Sequence, residues 1–235
     1  GDAAQVGNEL QLTPSLGSQS GSAFSTTAVP LINLSSFSTR FQFRITDSDG
    51  IGDSDGPGAD GIVFVVQTIA NNVGGAGGGI GYDGILNSVG VEFDTYNNGT
   101  QDQNNGNHVG IDFNGNMTSS SLVGVTPRFN DGNIWTAWVD YNGGSGSLEV
   151  RVNQTGVRPV GATLSTTANL AATLGSPNAF VGFTSGTGGG EGDHRILNWT
   201  FESDYNPIGS VPDGGSALAL LGLSSLGLLF LKRKD

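Results

Sequence analysis

Val91-Glu92-Phe93-Asp94-Thr95-Tyr96-Asn97-Asn98, running on through Asp102 to His108-Val109-Gly110-Ile111-Asp112, is the stretch from which the rest of the chain can be read. Side chains at i and i+2 of a strand share a face, so Glu92 and Asp94 project together. The loop that follows is long enough to fold Asn98, Asp102 and His108 back around them. The result is a mixed cage of oxygen and imidazole donors. Oxygen-rich positions suit calcium, and a carboxylate-rich position with one histidine suits manganese or another transition ion, so the set accommodates two metals sharing the two aspartates. An acidic strand end with a solvated loop is the competing reading, and the added Asn, Asp and His at loop-closing distances weigh against it.

The same rhythm extends outward from this stretch. From Leu10 to about Glu202, short apolar or alternating runs are separated by Gly, Asn, Asp and Ser, which predicts many β-strands joined by turns. Strands are expected at 37–45, 61–68, 88–95, 108–113, 134–142, 147–152, 179–185 and 196–202. No helix-period segment stands out. Trp135, Trp138 and Tyr141 do not share one parity, so that segment contains either a bulge or a strand buried on both faces. So many strands must bury one face each against a second sheet, which gives an all-β antiparallel sandwich or jelly roll. No internal repeat of the kind that builds propellers or solenoids is visible.

Composition narrows the function. The chain has 235 residues, 40 of them glycine, and a formal net charge of -12 with only nine Lys and Arg. Three of those nine are Lys232, Arg233 and Lys234, so no basic face remains for a nucleic acid. The absence of cysteine removes disulfides, thiol catalysis and Cys-based zinc together. The sequence opens at Gly1 without an apolar leader, consistent with a removed signal or a fragment.

At the other end, Gly214 to Leu231 is an uncharged run of eighteen residues followed by the basic cluster. As an α-helix it would extend about 27 Å, just enough for a hydrocarbon core of about 30 Å. The basic cluster would then mark the cytoplasmic side and leave the large domain outside. Val211-Pro212-Asp213-Gly214-Gly215 before such a segment resembles the PEP-CTERM class of bacterial sorting signals in a VPDSG-like form, with Gly214 where that form usually has Ser. The resemblance implies recognition by an exosortase-type processing enzyme and delivery to the bacterial cell surface or extracellular matrix through a transient inner-membrane anchor. Ser203 to Ser210 reads as a linker, dividing the chain into a domain at 1–208 and a linker, motif, transmembrane helix and basic tail at 209–235.

The stretch quoted first resembles the metal segment of the legume lectins and their bacterial L-type relatives, whose fold is a concanavalin-like β-sandwich. The resemblance implies that Glu92 and His108 hold a transition metal such as Mn2+ and that Asp94 and Asp102 bridge to Ca2+. The Tyr96 carbonyl and the Asn98 side chain would complete the calcium site, and Asn98 would also offer its amide to a sugar. The Asp102 to His108 spacing is one residue longer than the common legume pattern. Ala59-Asp60-Gly61 matches the family's strand entry, which implies a cis Ala59–Asp60 peptide and an Asp60 carboxylate that accepts from two sugar hydroxyls. Gly78 or Gly79, in the glycine-rich loop 74–81, would donate a backbone amide. The segments 181–185 and 196–203 resemble the closing strands, making Gly186 to His194 the specificity loop, with Gly189 and Gly190 against the ligand. The resemblance covers residues 7 to 203.

Other signals carry less. Gly79-x-Gly81-x-x-Gly84 fits the dinucleotide fingerprint, but a strand follows it and no helix N-terminus awaits the phosphates. The acidic run Asp47 to Gly56 lacks EF-hand spacing and reads as a solvated turn. Glu191 and His194 have no paired base or nucleophile in sequence and read as loop residues. Laminarinase-like glycoside hydrolases share the sandwich and carry Glu-x-Asp-x-x-Glu, but here the second Glu position falls on Tyr96 or Asn97, so the acid of a retaining mechanism is missing. The remaining rival is a structural surface or biofilm adhesin that binds no sugar. The function expected is a non-enzymatic, metal-dependent lectin for glycans or exopolysaccharide, with avidity raised by multivalent display on a surface or in a homo-oligomer.

Overall fold

The computed structural model describes residues 1–209. Two antiparallel sheets face each other. The back sheet contains β1 (Ala4–Val6), β2 (Glu9–Thr13), β5 (Phe37–Gly50), β12 (Trp135–Asn142), β13 (Ser147–Asn153), β14 (Leu164–Thr167) and β16 (Gly190–Glu202), in the order β1-β2-β16-β5-β12-β13-β14. The front sheet contains β3 (Ser20–Phe24), β8 (Gly61–Gln67), β9 (Ser88–Asp94), β10 (His108–Phe113), β11 (Ser121–Gly124) and β15 (Asn178–Gly186), in the order β11-β10-β9-β8-β15-β3, with β4 (Val29–Pro30) beside β15. A small hairpin, β6 (Gly52–Asp53) and β7 (Gly56–Pro57), stands apart. The all-β sandwich expected from sequence is the fold found. The transmembrane helix expected at Gly214 to Leu231 lies outside the described residues, and among those described no helix is long and apolar enough to cross a membrane.

Strand alternation explains the core. Phe37, Phe41 and Phe43 of β5 and Ile62, Phe64 and Val66 of β8 point between the sheets with Val91 and Phe93 of β9. Their rings interlock edge to face, with centroids 4.9 Å apart for Phe41–Phe183 and 5.6 Å for Phe41–Phe93, the geometry that aromatic quadrupoles favour. β12 shows no register break against β5 or β13. Trp135 and Tyr141 enter the core, while Trp138 is buried on the opposite face under Arg40, 5.9 Å from its ring. Of the two readings of that segment, burial on both faces is correct.

A second apolar cluster lies outside the front sheet. Ile80, Tyr82 and Ile85 fold back with Met117 over Val63 and Val65, so β8 is dry on both faces. One short α-helix, α1 (Leu170–Leu174), departs from the all-strand expectation. Asn169 caps it through Ala172 N, and Leu170 and Leu174 anchor it.

Strand direction then sets the poles of the sandwich. Gly50 pairs with Gly190, Gly186 with Gly61 and Gly61 with Asp94 at one end. At the other end Ser38 pairs with Glu202, and Ile32 N binds Ser203 O. The chain therefore leaves the sandwich toward its tail at the end opposite Asp60 and Asp94.

Candidate functional site

β9 and β10 build the site by register alone. His108 lies opposite Asp94 and Gly110 opposite Glu92, which brings one ligand atom each of Glu92, Asp94 and His108 within 4.8 Å of one another. All three are buried. Gly110 is required there, because a Cβ would run into the Glu92 carboxylate and the Ser119 hydroxyl. His108 Nδ1–H donates to Asn105 O at 3.2 Å. Nε2 therefore carries the lone pair in the neutral ring, and it faces Glu92 Oε1 at 3.1 Å. The pair lies in a dry pocket, with Nε2 the ring nitrogen left for a metal.

The loop beyond β9 is folded by its own polar side chains. Asp94 Oδ1 accepts from Tyr96 N at 2.6 Å, Asn97 Oδ1 from Gly99 N at 2.8 Å, and Asp102 Oδ2 from Asn98 N. A 3-10 turn over Gly99–Asp102 returns Asp102, buried, toward the strand. Asp102 is not within the tight three-residue group but acts on it through its charge. Burial, then the charges of Glu92 and Asp102, hold the Asp94 carboxyl well above the usual carboxylate range. Burial also raises Asp102. So many acids raised together mark a surplus of buried negative charge that a divalent ion would offset. The donor set thus fits hard cations, and Glu92, Asp94, Asp102 and His108 are the residues that would hold them.

Asp60 lies at the neighbouring strand entry, where the Ala59–Asp60 peptide is cis. Its backbone is fixed on both sides, with N bound to Gly186 O at 3.2 Å and O accepting from Thr95 N at 3.1 Å. The side chain is almost wholly buried, and Oδ2 has no partner among the described residues. Burial first, and then the charge of Asp102, push its carboxyl up to about 7. Around it, a Cβ on Gly188 would sit 3.7 Å from Asp60 Oδ2 and one on Gly78 would be 2.6 Å from Asn98 Nδ2. Asp60, Gly78, Asn98 and Gly188 therefore converge, with Gly79 next to Gly78 in a 3-10 turn.

Two families of protein are matched by the chain. The legume lectin domain matches residues 1–213. The chain belongs to the legume lectin domain family. Residues 210–234 match the VPDSG-CTERM motif, a PEP-CTERM-like sorting signal. Among curated relatives, L-type lectin-domain containing receptor kinase VIII.1 of Arabidopsis thaliana is 34% identical over 178 residues, which cover 72% of this chain and 24% of the kinase. Receptor kinase VIII.2 of the same plant is 31% identical over the same shares. The chain spans about a quarter of the length of these relatives. Solved lectins superpose on it closely. The lectin from Bauhinia forficata in complex with GalNAc gives a TM-score of 0.70 at 27% identity, covering 85% of this chain and 89% of that one. Basic winged bean lectin with Tn-antigen gives 0.69 at 29% identity, covering 85% and 89%.

Within this legume-lectin domain, several positions differ from what the sequence suggested. The loop assigned to Gly186 to His194 is only three residues long, because β15 runs to Gly186 and β16 begins at Gly190, paired with Gly50. Gly189 uses its carbonyl on Ile51 N, and Gly188 is the residue that approaches Asp60. His194 is not a loop residue. It is fully buried, with Nδ1 2.5 Å from Thr13 Oγ1 and Nε2 without a partner among the described residues. Asp112 and Ser119 were missed as neighbours of the metal cluster. Ser119 Oγ donates to Glu92 Oε1 at 2.5 Å, and burial with the charge of Glu92 pushes Asp112 up to about 9. Asp112 shares the parity of His108 and Gly110 on β10, a signal present in the sequence. The acidic run is not wholly a turn: Asp49 extends β5, and Asp53 Oδ2 accepts from Asn97 N at 2.9 Å, tying the hairpin to the metal loop.

Proposed function

We propose that this chain is a metal-dependent carbohydrate-binding lectin, exported and displayed at a bacterial cell surface or in its matrix. The observation that carries the reading is the nearly buried Asp60 carboxylate, whose Oδ2 finds no donor among the described residues where Gly78, Asn98 and Gly188 converge. A sugar hydroxyl supplies the missing donor. Asp60 and Asn98 would bind neighbouring hydroxyls, a backbone amide at Gly78 or Gly79 would add a third bond, and half-buried Tyr96, the aromatic of the loop, would floor the C–H face. Gly189 and Gly190 act by holding Gly188 in place.

Ca2+ and a transition ion such as Mn2+, held by Glu92, Asp94, Asp102 and His108 with the Tyr96 carbonyl and the Asn98 side chain, would supply the positive charge that fixes this loop. With the buried surplus neutralised, the smaller of the two causes that raise Asp60, the charge of Asp102, would fall away and favour the ionised carboxylate that accepts two hydroxyls. Glu92 and Asp94 are 1% and 2% exposed, too enclosed to flank a scissile bond, which supports recognition without hydrolysis. Residues 1–208 form the binding domain and 209–235 the sorting and membrane tail. With the tail leaving the pole opposite Asp60, the sugar site points away from the anchoring membrane until an exosortase-type enzyme acts.

The test is a glycan array with the full chain in Ca2+ and Mn2+, and again in EDTA. Binding lost in EDTA and lost in Asp60→Asn supports the lectin. Binding that survives both, or none in any condition, overturns it, and the latter result favours a sugar-free adhesin.

A further inference from the structure

The pole from which the chain leaves the sandwich carries an apolar surface that the sugar site does not use. Ile32 and Leu34 are 50% and 64% exposed, and Tyr205, just past β16, is exposed as well. Asn33 Nδ2 donates to Asp204 Oδ1 at 2.8 Å, which ties the Tyr205 segment to the same turn. Exposed Ile69 joins them from the far end of β8, where Thr68 Oγ1 donates to Leu174 O at 3.2 Å. Between the turn and the end of α1 runs a groove of about 380 Å3, lined by Leu31, Leu34, Ala171 and Pro177.

The backbone is bent to display these side chains. Asn33, Leu34 and Ser35 take φ of 48°, 62° and 64° in succession, a left-handed conformation that residues with a Cβ rarely adopt. The turn is fastened from beneath. Ser36 N donates to Ile32 O at 2.9 Å, Ser36 Oγ donates to Asn33 O at 2.5 Å, and Gly143 N donates to Ser36 Oγ at 2.9 Å. Gly143 admits no side chain, because a Cβ there would lie 2.4 Å from Leu34 O. Leu31 is already buried, with its N on Pro177 O at 2.7 Å, so the core is closed before the turn begins. What the bend achieves is a rigid loop with two aliphatic side chains directed outward, an arrangement that points to an interaction surface.

We infer that this pole docks on the lipid bilayer, with Ile32 and Leu34 inserted below the headgroups and Tyr205 at their level. The inference rests on reading 209–235 as a membrane tail, and the length of the tether argues for it. Asn206 is still fastened to β5, its N donating to Ser38 Oγ at 3.0 Å, and the uncharged run begins at Gly214. The five residues from Gly209 to Gly214 reach about 17 Å when fully extended, and about 6 Å of that crosses the headgroup layer. The pole is thereby held within about 10 Å of the headgroups. No Lys or Arg occurs in 31–36, 68–71, 171–177 or 203–209, so the contact is made by apolar insertion and not by attraction to anionic lipid. Aliphatic side chains with a tyrosine at the rim are the chemistry of the membrane interface. The competing occupant is the apolar run 214–231 folded back on its own domain, but a groove of about 380 Å3 holds only a few of its side chains and leaves the rest in water.

The chain has no cysteine, so a single one can be placed and labelled. The experiment puts a polarity-sensitive nitrobenzoxadiazole on Leu34→Cys and, separately, on Leu16→Cys, an exposed position at the sugar pole whose carbonyl accepts from Thr187 Oγ1 at 2.6 Å. The full chain is reconstituted in phosphatidylcholine vesicles with and without nitroxide on the acyl chains, and co-flotation with the vesicles is checked first. The expected result is blue-shifted emission at position 34, quenched by the nitroxide lipid about threefold more strongly than at position 16. Adding Ile32→Asp to Leu34→Cys should remove most of that quenching while the Tm stays as it was. Co-flotation with equal quenching at the two positions overturns the docking and leaves the membrane tail standing. A blue shift at position 34 without quenching overturns it in favour of the folded-back tail. Failure to float with the vesicles overturns both the docking and the membrane-tail reading beneath it.

Discussion

The two faces of the β9–β10 pair carry adjacent residues into opposite environments. Val91, Phe93, Val109 and Ile111 turn inward into the aromatic core, while Glu92, Asp94, His108 and Asp112 turn outward and are just as deeply buried. The inner face is stable because it removes apolar area from water at about 25 cal/mol per Å2. The outer face gathers carboxyls whose charged forms burial disfavours. A strand pair can carry both only if something beyond the chain balances the second, and the first must be strong enough to hold the fold while that balance is absent. The core supplies stability, and the outer face converts part of it into a binding site.

This contrast can be broken from either side, and the largest effect belongs to the core. Phe93→Ala, which empties a ring from between the sheets, should cost about 3 to 5 kcal/mol in denaturant unfolding, and the loss should be the same with metal or EDTA. An equal loss only in the presence of metal would mean the two faces are not independent.

Next in size is the buried imidazole of His194 on β16. Burial lowers it from 6.5 to about 4, so it stays neutral in the fold while the unfolded chain takes up a proton. Its contribution is complete above about pH 6.5 and is lost as pH falls toward 4, a change on the order of 3 kcal/mol. Asp193, beside it, acts in the opposite direction on the same ring. Unfolding curves between pH 7 and 4 should show a steeper decline for the unmodified chain than for His194→Leu. Parallel curves would place the acid sensitivity elsewhere.

On the outer face, a divalent ion at one hundred times its dissociation constant should stabilise the chain by about 2.7 kcal/mol, seen as a rise in Tm that Asp94→Asn abolishes. A rise of the same size in Asp94→Asn would move the ion away from this cluster. The smallest effect serves as a control at α1, which lends its leucines to the core and no residue to the metal cluster: Asn169→Ala, which removes its cap, should cost about 1 kcal/mol without changing metal or sugar affinity.

Legibility followed the same division. The alternation of Val91 to Asp94 and of His108 to Asp112 marked both faces, because a strand fixes parity without help from the rest of the fold. The endpoints of β8, β12 and β13 were close for the same reason. β3, β11 and β14 were invisible, since strands as short and polar as Ser20–Phe24 or Leu164–Thr167 owe their form to pairing with neighbours. The start of β16 was hidden because Gly190, Glu191 and Gly192 carry no strand signal and are ordered by the far end of β5. Ile80, Tyr82, Ile85 and Met117 follow no period, so the flap over β8 could be seen only in three dimensions. Gly188 was missed because a backbone approach leaves no side-chain trace. Asp112 was within reach by parity, since the strand expected at 108–113 already contained it on the face of His108 and Gly110.

The most direct test of the account is a calorimetric titration of Ca2+ and Mn2+ into the EDTA-stripped full chain, repeated in buffers of different ionisation enthalpy. The carboxyls of Asp94, Asp102 and Asp112 are all raised by burial, so metal binding should expel protons and its apparent heat should change with the buffer. The account expects saturable uptake with proton release at neutral pH, absent in Asp94→Asn. No uptake by the unmodified chain, or uptake that Asp94→Asn leaves intact, would contradict it.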